Sequence, residues 1–341
     1  MGVEKKPHKS GKWKDALLRT SLPLEYLVAE KLCELGFFIS GEYAYIRPTD
    51  KSPNAEFSVD IHSFKLFPSE EDVWANVHLL VECKYSYPGI KWLFSPQPSE
   101  SLVIIGFIHV AQELCTRRIE KDIFYEFERD LPFCFKGVEI HNGDANSVSI
   151  DHGLFQLRYA IPGLAAGIRL AQLREWNDED LHIGMICPIL VTTADLYVIK
   201  EGVSLDDFQK ADKIEGIARA VDSLMVYKEA GPSLSKYIEE TSQSLLSRKD
   251  FCDRLSDFAP ILKALGTEDY LIDKKTNFAD SFEMVSDRIL IVNYNALTTT
   301  LGSILNAIAT QSPKVKQIAK LKKDMKKRRA RIEACVSKIG T

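Results

Sequence analysis

The sequence predicts an α/β protein with a mixed central sheet flanked by helices. Short apolar runs rich in Val, Ile and Leu, at residues 77–84, 186–199 and 288–294, are typical of buried strands. Between them lie stretches with apolar residues at helical spacing, at 24–36 and 151–176. Alternating segments of this kind are characteristic of proteins in which helices cover a sheet.

The first predicted helix spans residues 24–36. Ser21 and Pro23 are favourable residues at the start of a helix, and Gly36 is typical of the position just after its end. The apolar residues that recur at helical spacing are Leu24, Leu27, Val28, Leu32 and Leu35. We therefore expect this helix to lay one apolar face on the sheet.

Two strands that follow the helix are predicted to form a hairpin, at 56–64 and 77–84, with a polar turn between them. Asp60 and Glu82 are equally distant from the centre of that turn. A simple antiparallel hairpin therefore places them opposite each other, with Cβ atoms about 5 Å apart. Lys84 follows Glu82 by two residues and shares its face of the strand.

Two carboxylates this close repel each other, and burial raises the cost of keeping both charged. Either one of them holds a proton or a cation lies between them. Mg²⁺ suits such a place, because it binds one or two carboxylates and completes its coordination with water and phosphate oxygens. Asp60, Glu82 and Lys84 therefore predict a site that binds Mg²⁺ or Mn²⁺ and hydrolyses phosphodiesters, with Lys84 orienting the water or stabilising developing charge.

The combination of Asp60 with Glu82-Cys83-Lys84 resembles the motif of the PD-(D/E)xK nuclease superfamily, and is most similar to Mrr-like restriction endonucleases. Val59 stands where the name of the motif has proline. The resemblance implies a restriction-endonuclease-like core, elaborated here by C-terminal α/β additions. It also implies metal binding by Asp60 and Glu82, and DNA as the substrate.

In that family an acidic residue on the first helix often joins the metal site. Glu25 matches this position, eleven residues before Gly36. Glu25 also lies nearer to the edge of the apolar stripe than Glu30 does. The resemblance therefore implies Glu25 as the third acid of the catalytic and metal site.

Beyond the hairpin, residues 85–100 are rich in Pro, Ser and aromatic residues, which predicts a loop. The aromatic residues are Tyr85, Tyr87, Trp92 and Phe94. They form either a lid or base-stacking surface beside the site, or part of the core. A buried strand is expected at 102–110, and a helix or mixed segment at 111–131.

The long helix expected at 151–176 is predicted to be interrupted near Pro162. Gln156 and Arg158 on this helix either approach a phosphate or have structural roles. The strand at 186–199 is expected to break at Thr192, Thr193 and Asp195, which have a weak claim to the site. Later strands are expected at 220–227 and 288–294.

The net charge of −4 gives no general sign of a nucleic-acid-binding protein. The distribution is different near the C-terminus, where ten basic residues of 314–331 are accompanied by Asp324 as the only acid. The residues expected to contact nucleic acid are Lys322, Lys323, Lys326, Lys327, Arg328 and Arg329. The alternative is a solvated helix without such a role.

We expect a basic N-terminal segment at 1–20, one α/β nuclease-like domain at 21–311, and a basic C-terminal helix at 312–341. No apolar run approaches the length of a membrane span, so no membrane association is expected. The N-terminus lacks the apolar core of a secretory signal, and the seven cysteines have no metal-binding spacing. These observations favour reduced thiols and a cytoplasmic location.

The function predicted from the sequence is a Mg²⁺-dependent nuclease that acts on DNA, in restriction, defence or DNA processing. The alternative is a non-catalytic nucleic-acid-binding or protein-interaction protein on the same fold. A nuclease that cuts both strands is often dimeric, so a homodimer is a further expectation. Motifs for nucleotide-binding loops, serine hydrolases and zinc proteases are absent from the sequence.

Overall fold

The computed structural model describes residues 12–18, 20–49, 51–52, 54–68, 73–97, 108–109, 131–175, 181–253 and 286–310. The basic C-terminal helix predicted at 312–341, with all six of its proposed nucleic-acid-binding residues, lies outside these ranges. Most of the strand predicted at 102–110 and nearly all of the segment at 111–131 also lie outside them. Those predictions therefore remain predictions.

Seven α-helices are bounded within the described ranges, which also include a helical segment at 249–253. They are α1 (Lys12–Leu18), α2 (Leu22–Glu34), α3 (Val148–Glu175), α4 (Leu205–Lys210), α5 (Ile214–Ile217), α6 (Pro232–Leu246) and α7 (Leu297–Thr310). A 3₁₀ turn at Tyr294–Ala296 precedes α7. Within these ranges, no helix combines the length and hydrophobicity that crossing a bilayer requires.

Twelve described strands belong to one sheet. They are β1 (Phe38–Arg47), β2 (Ala55–Pro68), β3 (Val73–Lys84), β4 (Lys91–Pro96), β5 (Ile108–His109), β6 (Phe133–His141), β7 (Asp144–Asn146), β8 (Leu181–Thr192), β9 (Asp195–Ile199), β10 (Ala218–Val221), β11 (Ser223–Tyr227) and β12 (Arg288–Asn293). The strands are joined in the order β1-β2-β3-β8-β12-β11-β6-β4-β9-β10, with β5 paired to β8 and β7 to β6.

The sheet contains both parallel and antiparallel pairs. β3, β8 and β12 run parallel to one another, whereas β1, β2 and β3 form an antiparallel meander. The protein is therefore a mixed α/β structure with a large mixed sheet flanked by helices, as the sequence predicts.

The sheet is strongly curled. β8 and β9 are separated in the chain by Thr193 and Ala194 alone, yet four strands lie between them in the order of the sheet. Two residues span only about 7 Å, so the sheet must bend back until the end of β8 meets the start of β9. The side chain of Asn293 on β12 strengthens this junction by donating to the carbonyl of Ala194 at 2.9 Å.

Helix α3 lies inside this curl. Its residues Leu157 and Ile161 belong to one apolar cluster with Leu190 of β8, Trp92 of β4 and Leu196 of β9. A second cluster packs α2 and α7 against the opposite face of β3, β8 and β12. Strand β3 is therefore covered on both faces, which explains its nearly continuous apolar sequence.

The predicted first helix and hairpin are confirmed. α2 carries Pro23 in its first turn and is followed by Gly36, whose φ of 79° lies in the region that favours glycine. Leu24, Val28 and Leu32 are buried as predicted, but Leu27 is 41% exposed and lies off the core-facing stripe. β2 and β3 pair antiparallel with Ile61 opposite Val81.

The loop predicted at 85–100 is wrong in part. Residues Lys91–Pro96 form β4, which lies within the sheet between β6 and β9. Trp92 and Phe94 are fully buried, in agreement with the alternative that these aromatic residues pack into the core. Pairing on both sides and aromatic burial outweigh the local Pro and Ser signals.

The predicted interruption of the long helix is also wrong, since α3 runs without a break through Pro162. Proline removes one helical hydrogen bond, but α3 is held on both sides of this point by buried residues such as Leu157 and Leu164. Tertiary packing thus outweighs local propensity.

The later strand predictions have mixed outcomes. The strand predicted at 288–294 is confirmed as β12, which lies inside the sheet, and the predicted break in 186–199 occurs at Thr193 and Ala194. The segment 220–227 forms two strands rather than one, split at Asp222. β10 pairs with β9 at one end of the sheet, whereas β11 pairs with β12, so the split sends the chain to two distant positions.

Packing between β4 and β6 gives a testable prediction for stability. Phe94 lies directly opposite Gly137, and a Cβ atom at Gly137 would come within 2.6 Å of its ring atom Cδ1. We expect Gly137→Ala to lower the free energy of unfolding by about 1–3 kcal/mol through overpacking. Gly302→Ala, in α7 where no atom lies within 4 Å of the added Cβ, is the matched control and should raise it by up to about 1 kcal/mol. Urea unfolding of both variants provides the measurement, and equal effects in the same direction would contradict the packing argument.

Candidate active site

The predicted acid pair lies where β2 and β3 separate. The ladder of paired residues ends at Ile61 and Val81, and one further step in the same register brings Asp60 opposite Glu82. Instead of continuing the ladder, the carboxylate of Asp60 takes a backbone hydrogen bond, as the Cys83 N–H donates to its Oδ2 at 2.7 Å. The Asp60 side chain is thereby fixed beside the end of β3.

Glu82 is almost completely buried, with 1% of its surface exposed. Its Oε1 atom accepts a hydrogen bond from the Nζ of Lys84 at 2.5 Å, whereas Oε2 is buried and has no hydrogen-bond partner. Burial and, second to it, the charge of Asp60 raise the pKa of Glu82 to about 7, against the opposing effect of Lys84. The structure therefore contains a desolvated carboxylate that one lysine only partly compensates.

Helix α3 holds the lysine in place. Lys84 Nζ donates to Gln156 Oε1 at 3.2 Å, and Gln156 Nε2 donates to the carbonyl of Ser58 at 3.1 Å. Gly153 allows the close approach, since a Cβ atom there would lie 2.7 Å from Leu190 Cδ1 and 3.4 Å from Lys84 Cε. Gln156 thus connects β2, β3 and α3 at the site, which agrees with the structural role that the sequence left open for it.

Glu25 on α2 lies within electrostatic reach of the same acids. Its pKa is raised first by burial and then by the charges of Asp60 and Glu42, while Lys84 lowers it. Glu30, by contrast, is exposed and accepts a hydrogen bond from Tyr26 at 2.6 Å. The preference for Glu25 over Glu30 is therefore consistent with the electrostatics.

Glu42 is an acid that sequence reasoning missed. It lies on β1 where the pairing with β2 shifts register, between Gly41 and Tyr43. The charge of Glu42 raises the pKa of both Glu25 and Asp60. Because β1 itself was not predicted, nothing in the sequence brought Glu42 near the hairpin.

Other candidate residues have structural roles. The Thr193 hydroxyl accepts the N–H of Ser86 at 2.7 Å and donates to its carbonyl at 2.8 Å, which fixes the turn after β3. Arg158 donates to the carbonyls of Ser286 and Lys228 and pairs with Asp287 at 3.2 Å. Arg158 therefore anchors α3 to the chain around β11 and β12 and does not face the acid pair.

The donor set suits a hard divalent cation, because carboxylate oxygens, one of them buried without a partner, are what Mg²⁺ and Mn²⁺ bind. Asp60 and Glu82 are the residues best placed to hold it. In the described part of the chain, however, no three His, Cys, Asp or Glu side chains lie close enough together to form a metal site. The charge of Glu42 acts on Asp60, and the charge of Asp60 acts on Glu25, without a compact cluster of the four acids.

The raised pKa of Glu82 predicts a dependence of stability on pH. Its folded value of about 7 exceeds the ordinary 4.5, so between these pH values the folded protein keeps a proton that the unfolded chain has released. The contribution of Glu82 to the free energy of unfolding should therefore fall as the pH rises from 4.5 to 7, by about 3 kcal/mol. Glu82→Gln should remove this fall, so the variant should gain on the wild type between pH 5 and pH 8.

Urea unfolding at both pH values in EDTA tests this expectation. Asp206→Asn is the control, since Asp206 is an exposed acid that pairs with Lys210 on α4. A difference between Glu82→Gln and wild type that stays the same at pH 5 and pH 8 would contradict the raised pKa.

Comparisons with known proteins do not identify a function for this chain. No protein-family model, no curated protein and no solved structure matches this chain. Any functional assignment therefore rests on Asp60, Glu82, Lys84 and the residues around them.

Proposed function

We propose that this protein is a nuclease that depends on Mg²⁺ or Mn²⁺ and has a restriction-endonuclease-like core. The observation that carries the proposal is the buried Glu82, whose Oε2 atom lacks a partner while Asp60 lies beside it and Lys84 holds its other oxygen. A purely structural ion pair would gain nothing from a second buried acid, since each added charge raises the cost of desolvation.

The fold supports the core part of the proposal. Apart from β1 before the hairpin and β4–β7 after it, α2 precedes the hairpin, α3 follows it, and the next long strand, β8, pairs parallel with β3. This is the order of elements that the resemblance to PD-(D/E)xK nucleases implies. DNA as the substrate, a homodimer, and a role in restriction, defence or DNA processing come from that resemblance and are part of the same proposal.

In the proposed reaction, Asp60 and Glu82 hold the cation, with Glu25 completing the acidic surroundings from α2. The cation supplies acidification of a water and stabilisation of negative charge at the phosphate. Lys84 orients the attacking water and stabilises charge that develops on the scissile phosphate. Gln156 positions Lys84 through its bond to Nζ.

A non-catalytic nucleic-acid-binding or protein-interaction role is the second candidate. It is favoured by the absence of any three metal-binding side chains in close proximity within the described ranges. In that case the contacts of Lys84 with Glu82 and of Asp60 with Cys83 would hold the hairpin to α3 and serve the fold alone.

Cleavage assays distinguish the two candidates. With Mg²⁺ or Mn²⁺, the wild type should cut at least one of plasmid DNA, linear DNA, single-stranded DNA and RNA. Lys84→Ala and Asp60→Asn should each lower the rate about 100-fold or more, because each removes a group that acts on the reacting phosphate or its cation. Lys210→Ala and Asp206→Asn, which break a similar but exposed ion pair on α4, should cut at the wild-type rate. Equal activity in all five proteins would assign the cutting to another source.

Metal binding should be visible without catalysis. At ten times its dissociation constant, Mg²⁺ should stabilise the wild type by about 1.4 kcal/mol, a rise in Tm of about 2 °C or more. At one fixed Mg²⁺ concentration the shift should be larger at pH 8 than at pH 6, because a proton competes for Glu82 near its pKa of about 7. Thermal unfolding with and without metal should show no such shift in Asp60→Asn and Glu82→Gln. Asp206→Asn should behave as the wild type, and a shift that persists in the first two variants would rule out this site.

A further inference from the structure

A groove of about 760 Å³ lies beside α3 at some distance from the acid pair. It is formed by the end of β1, the second half of α3, and α6. Its charged lining residues are Arg47, Lys236 and Arg248, against Glu240 alone. The groove therefore carries net positive charge on a protein whose overall net charge is −4.

Of these three cations, Arg47 is the one whose charge is left unbalanced. Lys236 lies 3.8 Å from Glu240, and Arg248 pairs with Asp250 at 3.0 Å. In the described part of the chain no carboxylate pairs with Arg47, and its buried Nε atom has no hydrogen-bond partner. The guanidinium is available to an anion.

Three aromatic rings hold Arg47 in position. Its Cζ atom lies 3.9 Å from the ring centre of Phe57, 4.5 Å from that of Phe155 and 4.8 Å from that of Tyr159. Such stacking fixes the planar guanidinium by its faces rather than by its N–H edge, an arrangement suited to phosphate. Phe155 is also 39% exposed, so it offers an aromatic surface beside the cation.

A row of residues on α3 runs from the contact with Lys84 to the groove. The residues on it follow one another at steps of three and four, and they are His152, Gln156, Tyr159, Gly163, Ala166 and Leu170. Gln156 bonds Lys84, Tyr159 packs on Arg47, and Ala166 and Leu170 line the groove. Lys84 and Arg47 both lie within electrostatic reach of His152. Their charges lower its pKa, after the larger effect of burial.

We propose that the groove binds the sugar-phosphate backbone of a single-stranded nucleic acid, with Arg47 contacting a phosphate. The identity of the ligand rests on the proposed nuclease function. A space of this volume takes about two nucleotides of one strand and is too small to enclose a duplex. Gln156 and Ala166 are about 15 Å apart along the helix, so one strand of about ten nucleotides is long enough to reach both the groove and the acid pair.

The test is binding without cleavage. Fluorescence anisotropy in EDTA compares a labelled ten-nucleotide single strand, as DNA and as RNA, with a DNA duplex of the same sequence. The wild type should bind at least one single strand more tightly than the duplex. Arg47→Gln should weaken that binding about tenfold and lower the dependence of log affinity on log salt by about one. Arg219→Gln, which removes an exposed arginine from β10, is the matched control and should bind as the wild type.

A second pair of variants guards against misfolding of Arg47→Gln. Gly167 lies in α3 and lines the groove, with no atom within 4 Å of an added Cβ. Gly167→Glu places a negative charge there and should weaken strand binding about tenfold, whereas Gly167→Gln, of the same size, should weaken it less. Thermal unfolding should show that both variants fold.

Wild-type affinity for the strand in both Arg47→Gln and Gly167→Glu would overturn the proposal. So would binding of a single deoxynucleoside monophosphate as tightly as the ten-nucleotide strand, which would assign the groove to a small phosphorylated ligand. If binding depends on Arg47 but no metal-dependent cleavage occurs, the nuclease function fails while the groove stands. If cleavage depends on Lys84 but neither binding nor cleavage responds to Arg47, the groove alone fails.

Discussion

The burial of β3 on both faces is the constraint on which the rest of the site depends. Alternation along this strand sends Cys83 into the cluster beneath α2 and α7, and sends Glu82 and Lys84 towards α3. A slip of one residue would exchange the carboxylate for the thiol and place a charge in the α2 cluster. The fixed register between β3 and its neighbours β2 and β8 therefore determines both where the acid lies and how far it is removed from water.

That placement leaves a local excess of negative charge. The pKa values of Asp60 and Glu25 are raised mainly by burial, and the charge of Glu42 adds to the effect on both. Lys84 is the cation that opposes these shifts at each of Glu25, Asp60 and Glu82. The buried pair of Arg158 and Asp287 shows the contrast, because the guanidinium there is met by an acid and by two carbonyls. A site that serves the fold alone is balanced in this way, whereas the region around Glu82 is balanced only in part.

Sequence reasoning succeeded where the decisive interactions are local. The β2–β3 hairpin follows from two apolar runs around a polar turn, and α2 follows from its spacing and end signals, so Asp60, Glu82 and Glu25 could be named in advance. It failed where pairing between strands far apart in the sequence determines the structure. β4 forms because β6 and β9 lie on either side of it, and 220–227 divides because its halves belong to opposite parts of a curled sheet. Glu42 and Arg47 were missed as site residues for the same reason, since each reaches its partners through contacts between elements far apart in sequence. Gln156 was named on α3, but its contact with Lys84 was not predicted.

Helix α3 contributes residues both to the acid pair's surroundings and to the groove. At Gly153 the absence of a side chain lets the helix press against Leu190 and Lys84, so the space there is fully used. At Gly167, four turns further along, the same absence leaves open space at the groove. Because the helix continues through Pro162 without a break, these two regions are held at a fixed separation by a single rigid rod. A ligand that contacts both Lys84 and the groove at Gly167 would therefore have to match that spacing, which makes the length of α3 between Gly153 and Gly167 a determinant of what the protein can bind.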